Sequence, residues 1–148
     1  MKAFTFKRYG KSPELGFDDV DFPSPGDDEI LVKVYAVGLN PIDNMIPTGM
    51  FKRVLHFSLP ATLGSDVSGV VVATGRRVTR FKAGDEVFAS IFDRGTGSLA
   101  EFVRVPENLA ALKPATLDFV QAASLPMVSL TSWQALTERA KLRAGQKV

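Results

Sequence analysis

The sequence contains no cysteine and only one histidine, His56. The missing cysteines exclude disulfides, thiol nucleophiles and thiolate metal ligands within this chain. One histidine cannot assemble a zinc site from the usual nitrogen and sulfur ligands, and no Gly-x-Ser-x-Gly motif is present to indicate a serine hydrolase. Because His56 lies between Leu55 and Phe57, in an apolar context, we interpret it as a packed or surface histidine. We therefore expect no bound metal.

Features of several other protein classes are also missing. Lysine and arginine total 18 against 16 acidic residues, and they form no cluster that would indicate nucleic-acid binding. No apolar run approaches the ~20 residues of a membrane span, and the N-terminus lacks a signal-peptide pattern. The 148 residues are 45% apolar and 23% charged, which is ordinary globular composition. We expect a cytoplasmic protein that binds neither nucleic acid nor membranes.

A glycine-rich phosphate loop is absent as well. The nearest segment, Gly95-Thr96-Gly97, lacks a third glycine and lies between two predicted strands, within a polar loop at 93–98. These residues taken alone therefore predict no site for a dinucleotide pyrophosphate.

What the sequence has instead is a series of strands followed by helices. The clearest strand covers 29–37, where side chains alternate with a period of two, and Pro41 must stop it because proline cannot donate to a ladder. Further strands are predicted at 1–7, 15–22, 67–73, 86–91, 99–105 and 110–112. Helices are predicted at 117–123, with Asp118 near the start, and at 129–142. The predicted fold is mainly β, a β-barrel-like domain with appended helices.

Two polar residues follow the long strand, Asn40 and Asp43. A rigid strand that delivers an amide and a carboxylate at its end can build a catalytic site. The same residues can equally form a capped turn, in which Asp43 caps a helical turn that comes after it and is followed by a loop up to residue 51. The residues alone leave both interpretations open.

Four segments, taken in order, resemble the medium-chain dehydrogenase/reductase superfamily, and most of all its zinc-free quinone oxidoreductase and enone reductase branch. They are Gly38-Leu39-Asn40-Pro41-Ile42-Asp43, Leu63-Gly64-Ser65-Asp66-Val67-Ser68-Gly69-Val70-Val71, Phe81-Lys82-Ala83-Gly84-Asp85-Glu86-Val87 and Gly97-Ser98-Leu99-Ala100-Glu101-Phe102. The resemblance implies a GroES-like, partly open β-barrel at 1–125, the N-terminal catalytic domain of the alcohol dehydrogenase fold. It also implies a linking helix and the start of a Rossmann NADPH-binding domain at 126–148, and hence a longer enzyme.

The resemblance also bears on metal, cofactor and substrate. Zinc-dependent members carry a cysteine ligand where this chain has Asn40, and a Gly-His-Glu segment where it has Gly64-Ser65-Asp66. The resemblance therefore implies metal-free, NADPH-dependent reduction of a small hydrophobic quinone or α,β-unsaturated carbonyl by hydride transfer. It implies that Asn40 contacts the cofactor and the reacting carbonyl, and that Thr131 faces the nicotinamide. We interpret Asp66 as a buried carboxylate held by backbone amides, in a structural or supporting role.

Four apolar residues flank the proposed site, Met45, Met50, Phe51 and Phe57. They either line a pocket for a flat hydrophobic substrate or pack as loop residues over the end of the barrel, and the sequence favours neither.

The sequence identifies no proton donor for the reduction. The resemblance implies a full-length homodimer and an inactive 148-residue chain. Two alternatives to a zinc-free reductase stay open: a non-catalytic GroES-like binding or assembly module, and a relative of zinc-type alcohol dehydrogenases.

Overall fold

The computed structural model describes residues 1–92 and 97–148. Most of the loop predicted at 93–98, with Gly95 and Thr96, therefore lies outside the described residues. The described strands are β1 (Lys2–Arg8), β2 (Glu14–Asp19), β3 (Glu29–Gly38), β4 (Ala61–Thr62), β5 (Asp66–Thr74), β6 (Glu86–Ser90), β7 (Phe102–Pro106) and β8 (Ala110–Leu112). The described helices are α1 (Pro41–Met45), α2 (Phe119–Ala123) and α3 (Pro126–Trp133), and α3 continues into a π-helical segment at Gln134–Arg139.

The strands form two antiparallel sheets. The smaller sheet has the order β2-β1-β4, and the larger has the order β7-β3-β5-β6-β8. A bridge between Ala3 and Ala100, with a 2.7 Å hydrogen bond from Phe4 N to Leu99 O, joins β1 to the chain that leads into β7. Over the described residues this is a mainly β fold with appended helices and no closed barrel, which confirms the predicted fold class.

The main core follows from the alternation of residues in β3. Ile30 and Val32 are fully buried, whereas Tyr35, on the opposite parity, is 55% exposed. Val67 and Val71 of β5 complete the same apolar cluster from the neighbouring strand. Each aliphatic side chain buried in this way contributes about 1.5–3 kcal/mol. Packing on this face therefore fixes the register in which β3 and β5 deliver the residues at their ends.

A smaller core holds α1 in place. Ile46, directly after α1, is buried with Phe6 of β1 and Leu63. The cluster joins the helix to the small sheet, so that the turn after β3 rests on packed side chains.

Two glycines allow β3 to approach its neighbours closely. A Cβ at Gly69 would lie 2.1 Å from Lys33 O, and a Cβ at Gly38 would lie 2.3 Å from Ala123 O of α2. Gly38 is also paired with Asp66, the first residue of β5. The end of β3, the start of β5 and α2 therefore meet at one place, two residues before Asn40.

Several element bounds differ from those predicted. The helical turn begins at Pro41 and not after Asp43, and α3 begins at Pro126 and not at residue 129. Both starts have one cause, because proline suits the first turn of a helix, where its missing N–H costs nothing. The strands predicted at 15–22 and 99–105 are shorter, as β2 and β7. No helix in the described ranges is long and apolar enough to cross a membrane.

Candidate active-site cleft

Asn40 lies where β3 gives way to α1. Its backbone is extended (φ −112°, ψ 154°), and it occupies the N-cap position of α1. Its backbone N–H donates to Asp43 Oδ2 at 2.8 Å, and its side-chain Nδ2 donates to Asp66 Oδ2 at 3.2 Å. Two carboxylates therefore hold Asn40, one by its backbone and the other by its side chain.

Asp66 connects Asn40 to the start of α3. Its Oδ2 also accepts a 3.0 Å hydrogen bond from the backbone N–H of Met127, in the first turn of that helix. Asp66 is only 1% exposed, and its Oδ1 has no hydrogen-bond partner among the described residues. A buried carboxylate that accepts from a backbone amide is what the sequence predicted for Asp66, and the structure confirms it. The contact supplies an acceptor for a helix start whose N-cap residue, Leu125, offers none.

Asp43 stabilises the turn between β3 and α1 through its carboxylate. Its Oδ2 accepts from Asn40 N, and its Oδ1 accepts a 3.4 Å hydrogen bond from Ser65 Oγ. Burial raises the pKa of this carboxyl above its usual range, and the nearby charge of Asp66 adds to the rise, while the hydrogen bonds from Asn40 and Ser65 oppose it. Since Asp43 is the third residue of α1, its carboxylate caps backwards onto Asn40. The prediction that it caps a turn after it was therefore wrong.

A cleft of about 710 Å³ opens beside Asn40. Its lining brings together Asn40, Met45 and Thr131, three of the residues singled out from the sequence. The other described residues that line it are Pro41, Ile42, Ser90, Phe92, Asn108, Leu109, Met127, Val128, Leu130, Ser132 and Gln134. These side chains are apolar or neutral and polar, and none of them carries a charge. The cleft therefore favours an uncharged, largely apolar group with a few polar atoms.

The remaining sequence-predicted site residues lie outside this cleft. Met50 is 64% exposed, and Phe57 packs edge-to-face on Phe6 with ring centroids 5.8 Å apart. Phe51 is half-buried and does not line the cleft. Asp43 lies in the wall of a separate apolar groove of about 300 Å³, on the other side of α1. A direct catalytic role for Asp43, and a substrate pocket built from Met50, Phe51 and Phe57, have no support in this arrangement and stay predictions.

Some residues of the site were not predicted. Met127 and Leu130 of α3 line the cleft together with Ser90, the last residue of β6. The spacing of Met127, Leu130 and Thr131 along one helix face was a usable signal, because residues three and four apart are neighbours on a helix. Ser90 had no such signal. It reaches the site only because it pairs with Asp66 across the sheet.

The polar groups in the cleft suit the nicotinamide end of a dinucleotide. Asn40 Nδ2 uses one N–H for Asp66, so the amide keeps its second N–H for a bound molecule, and Thr131 adds an exposed hydroxyl. Carboxamide and ribose hydroxyl groups are neutral and can pair with groups of this kind. Within residues 1–92 and 97–148, no group of three His, Cys, Asp or Glu side chains is placed to hold a metal ion. Metal-free chemistry nevertheless stays a prediction.

The chain is similar in sequence to a known domain family and to known oxidoreductases. Residues 26–115 match the family model described as the alcohol dehydrogenase GroES-like domain. The chain is 40% identical over 149 residues to the quinone oxidoreductase of Rattus norvegicus, covering 100% of this chain and 44% of the relative. It is 39% identical over 155 residues to the NADPH-dependent alkenal/one oxidoreductase of Arabidopsis thaliana, covering 100% and 40%.

A solved structure of a relative has the same fold over this chain. Escherichia coli quinone oxidoreductase complexed with NADPH superposes with a TM-score of 0.84 at 29% identity, covering 97% of this chain and 42% of that one. The chain thus spans about two fifths of the length of the relatives that it matches.

Proposed function

The chain belongs to the alcohol dehydrogenase GroES-like domain family, in the quinone oxidoreductase branch of the medium-chain dehydrogenase/reductases, and from this premise we propose that it is the catalytic-domain part of an NADPH-dependent reductase. The substrates are quinones or α,β-unsaturated carbonyls, reduced by hydride transfer without zinc. One observation carries the proposal: Asn40, at the start of α1, and Thr131, within α3, open onto a single cleft whose described lining residues are uncharged.

Asn40 acts as a neutral polar group at the reacting centre. An amide can donate to an oxygen on which negative charge develops, and it does so without a shifted pKa. Its fixed position contributes because a preorganised donor costs no reorganisation during the reaction. The hydrogen bond from the Asn40 backbone N–H to Asp43 contributes to this fixed position.

The cofactor contributes the reducing equivalent: bound NADPH supplies a hydride. Asn40 and Thr131 would hold its nicotinamide end. The Arabidopsis relative is an NADPH-dependent oxidoreductase and the E. coli relative forms a complex with NADPH, which supports this cofactor. The larger part of the cofactor site, including the pyrophosphate contacts, would lie in a Rossmann domain that follows residue 148. The 148-residue chain alone should therefore bind NADPH weakly and show no turnover.

The cleft also suggests which substrates are preferred. Ile42, Met45 and Leu130 give it apolar walls, and no described lining residue offers a cation to a carboxylate. Burying an unpaired carboxylate in such a site is costly. We therefore expect neutral quinones and enones to be reduced far better than analogues that carry a carboxylate.

Metal independence rests on the residues present. Asn40 and Ser65 stand where zinc-dependent relatives carry thiolate and imidazole ligands, and the whole chain has no cysteine. An amide and a hydroxyl are poor replacements for those ligands at a Zn²⁺ site.

The proposal also includes a cytoplasmic location and a homodimer of the full-length protein.

The proposal is tested with the full-length protein expressed from the gene that encodes this chain. NADPH oxidation is followed at 340 nm with paired substrates: neutral quinones and enones, and carboxylated analogues of each. We expect turnover with the neutral set, and at least a tenfold lower kcat/KM with the carboxylated set. Elemental analysis of the active protein should find no stoichiometric zinc. Absence of NADPH oxidation with every substrate would instead support a non-catalytic binding or assembly module, and stoichiometric zinc would support a zinc-type relative.

A further inference from the structure

The carboxylate of Asp66 is the point at which Asn40 meets the start of α3. One oxygen, Oδ2, accepts both from Asn40 Nδ2 at 3.2 Å and from Met127 N at 3.0 Å. The two donors lie 26 and 61 residues away from Asp66 in the sequence. Asp66 itself does not line the cleft, so it reaches a bound molecule only through other residues.

This arrangement determines which way round the Asn40 amide lies. The Met127 N–H can only donate, so Asp66 Oδ2 serves as an acceptor. The atom of Asn40 that faces the same oxygen must then be the nitrogen. In the reversed amide, Oδ1 would stand against a carboxylate oxygen, with two acceptors and no proton between them.

We infer that Asp66 is a positioning residue, which fixes the amide orientation of Asn40 and so sets the hydrogen-bonding groups that Asn40 presents to the cleft. The inference rests on the proposed function for its catalytic consequence. The proposed function needs Asn40 at the cleft, but it does not require Asp66. In this view Asp66 acts through Asn40 and touches neither substrate nor cofactor.

The surroundings of Asp66 argue against a purely structural role. The carboxylate is 1% exposed, its Oδ1 lacks a partner among the described residues, and the nearby Asp43 is also acidic. A buried polar atom without a partner carries a desolvation cost, and so does a second buried carboxyl beside it. An apolar side chain would avoid both costs, so Asp66 is retained for the acceptor that it offers to Asn40 and Met127. Both donors to Oδ2 need only a carbonyl-type acceptor, which asparagine also has.

Two variants of Asp66 separate these roles in the full-length protein. Asp66→Asn keeps a carbonyl oxygen for Asn40 and Met127, and its kcat should stay within about threefold of wild type. Asp66→Leu is similar in size but offers no acceptor, and its kcat should fall about 10- to 100-fold, as is usual when a supporting partner of a functional group is removed. KM should change less than kcat in Asp66→Leu. Asp19→Asn, at an exposed surface ion pair with Lys2, is the matched control and should leave both constants unchanged.

A double-mutant cycle with Asn40→Ala tests whether Asp66 acts through Asn40. If it does, Asp66→Leu should lower kcat by less than about threefold when Asn40 is already alanine, because coupled residues give non-additive effects. Full multiplication of the two losses would show that Asp66 acts independently of Asn40 and would overturn the inference. Equal losses in Asp66→Asn and Asp66→Leu would overturn it too, because the carbonyl acceptor would then be irrelevant.

A spectroscopic readout separates this inference from the proposed function. In full-length protein labelled with ¹⁵N-asparagine, the side-chain amide signal of Asn40 is identified by its loss in Asn40→Ala. It should be displaced from the signal of the exposed Asn44 in wild type and in Asp66→Asn, and should move towards it in Asp66→Leu. If NADPH oxidation is absent but this shift is observed, the proposed function fails while the positioning contact stands. An unchanged Asn40 signal in Asp66→Leu would overturn the inference whatever the activity.

Discussion

Two buried carboxyl groups contact Asn40, and they hold different parts of it. We call their surroundings the Asp43 region and the Asp66 region. Asp43 accepts from the backbone N–H of Asn40 and from Ser65. Asp66 accepts from the Asn40 side chain and from the backbone N–H of Met127. Both aspartates are almost fully buried, at 4% and 1% exposure. One region therefore fixes the course of the chain, and the other fixes the orientation of a functional group.

The difference also appears in the surroundings of each carboxyl. Asp43 lies in the wall of an apolar groove that is separate from the cleft, and burial raises its pKa. Asp66 lies behind the cleft, between the strand that ends before Asn40 and the helix that carries Thr131. Residues of the same type within one small volume thus serve the turn and the site respectively. Variants at Asn40 and Asp43 separate the two regions, and a variant at Gly38 disturbs both.

The largest effect is expected for Asn40→Ala in the full-length protein. The substitution removes the side-chain contact to Asp66 but keeps the backbone N–H that donates to Asp43. Loss of one preorganised donor typically lowers turnover by about 10²-fold or more. We expect kcat/KM for NADPH-dependent quinone or enone reduction to fall about 100-fold, corresponding to about 2.7 kcal/mol. The melting temperature should change by only a few degrees, because the Asp43 region stays intact.

Asn44→Ala is the matched control for this experiment. Asn44 lies in the same helix, is exposed, and borders the groove and not the cleft. Its loss should leave turnover unchanged. If Asn40→Ala keeps wild-type turnover, Asn40 is only a turn residue and the distinction between the two regions disappears.

Gly38→Ala is expected to disturb both regions together. The new Cβ would lie 2.3 Å from Ala123 O and 3.1 Å from Asp66 Cβ, so the end of β3 must move away from α2. Overpacking of this kind costs about 1–3 kcal/mol, and we expect about 2 kcal/mol of destabilisation with reduced turnover. Urea denaturation measures the first effect, and NADPH oxidation measures the second.

Gly16→Ala provides the comparison for that variant. Gly16 lies in β2, and nothing approaches within 4 Å of the position that its Cβ would occupy. Alanine there should be neutral or slightly stabilising, because it reduces the freedom of the unfolded chain. Equal stabilities for Gly38→Ala and Gly16→Ala would mean that the close approach of β3 to α2 is not a constraint.

Local patterns predicted much of this architecture. The alternation at 29–37 gave β3 within one residue, and Asp118 was expected near the start of α2, where it is the N-cap. The contact between Asp43 and Asn40 could also have been predicted from the sequence. Asn40, Pro41 and Asp43 form the local pattern of a helix start, in which the N-cap residue pairs with the third helical residue. Its direction was missed because Pro41 was interpreted only as the end of a strand.

The Asp66 region shows what local patterns cannot supply. Its contacts join residues 26 and 61 positions apart, so they exist only once the sheet and α3 have packed. Resemblance to known enzymes pointed to Asn40 and Thr131, but no sequence spacing linked them through Asp66. The packing of Phe57 on Phe6 also depends on a distant strand, and the sequence left the role of Phe57 open. Long-range pairing between elements, which a periodic pattern does not encode, decides these positions.

The smallest effect is expected for Asp43→Asn, seen as a change in how stability depends on pH. Because the pKa of Asp43 is raised in the folded protein, the fold prefers the protonated carboxyl. That stabilisation is complete below the ordinary aspartate pKa of about 3.9 and is lost as the pH rises through the higher folded value. Asparagine is uncharged throughout and keeps a carbonyl oxygen for Asn40 N–H. Asp43→Asn should therefore match wild type near pH 3.5 and be more stable at pH 7, by about 1 kcal/mol or less.

The sign of that change distinguishes the Asp43 region from an ordinary surface carboxylate. The side-chain hydrogen bond from Lys2 lowers the pKa of the exposed Asp19, so its contribution is present above the ordinary aspartate pKa and is lost as the pH falls. Asp19→Asn should therefore lower stability slightly at pH 7 and leave it unchanged in acid, opposite in sign to Asp43→Asn. Urea denaturation of the three proteins between pH 3.5 and 7 measures both differences. If Asp43→Asn instead loses stability as the pH rises relative to wild type, Asp43 is held as a favourable anion, and its region resembles a surface ion pair more than a buried cap.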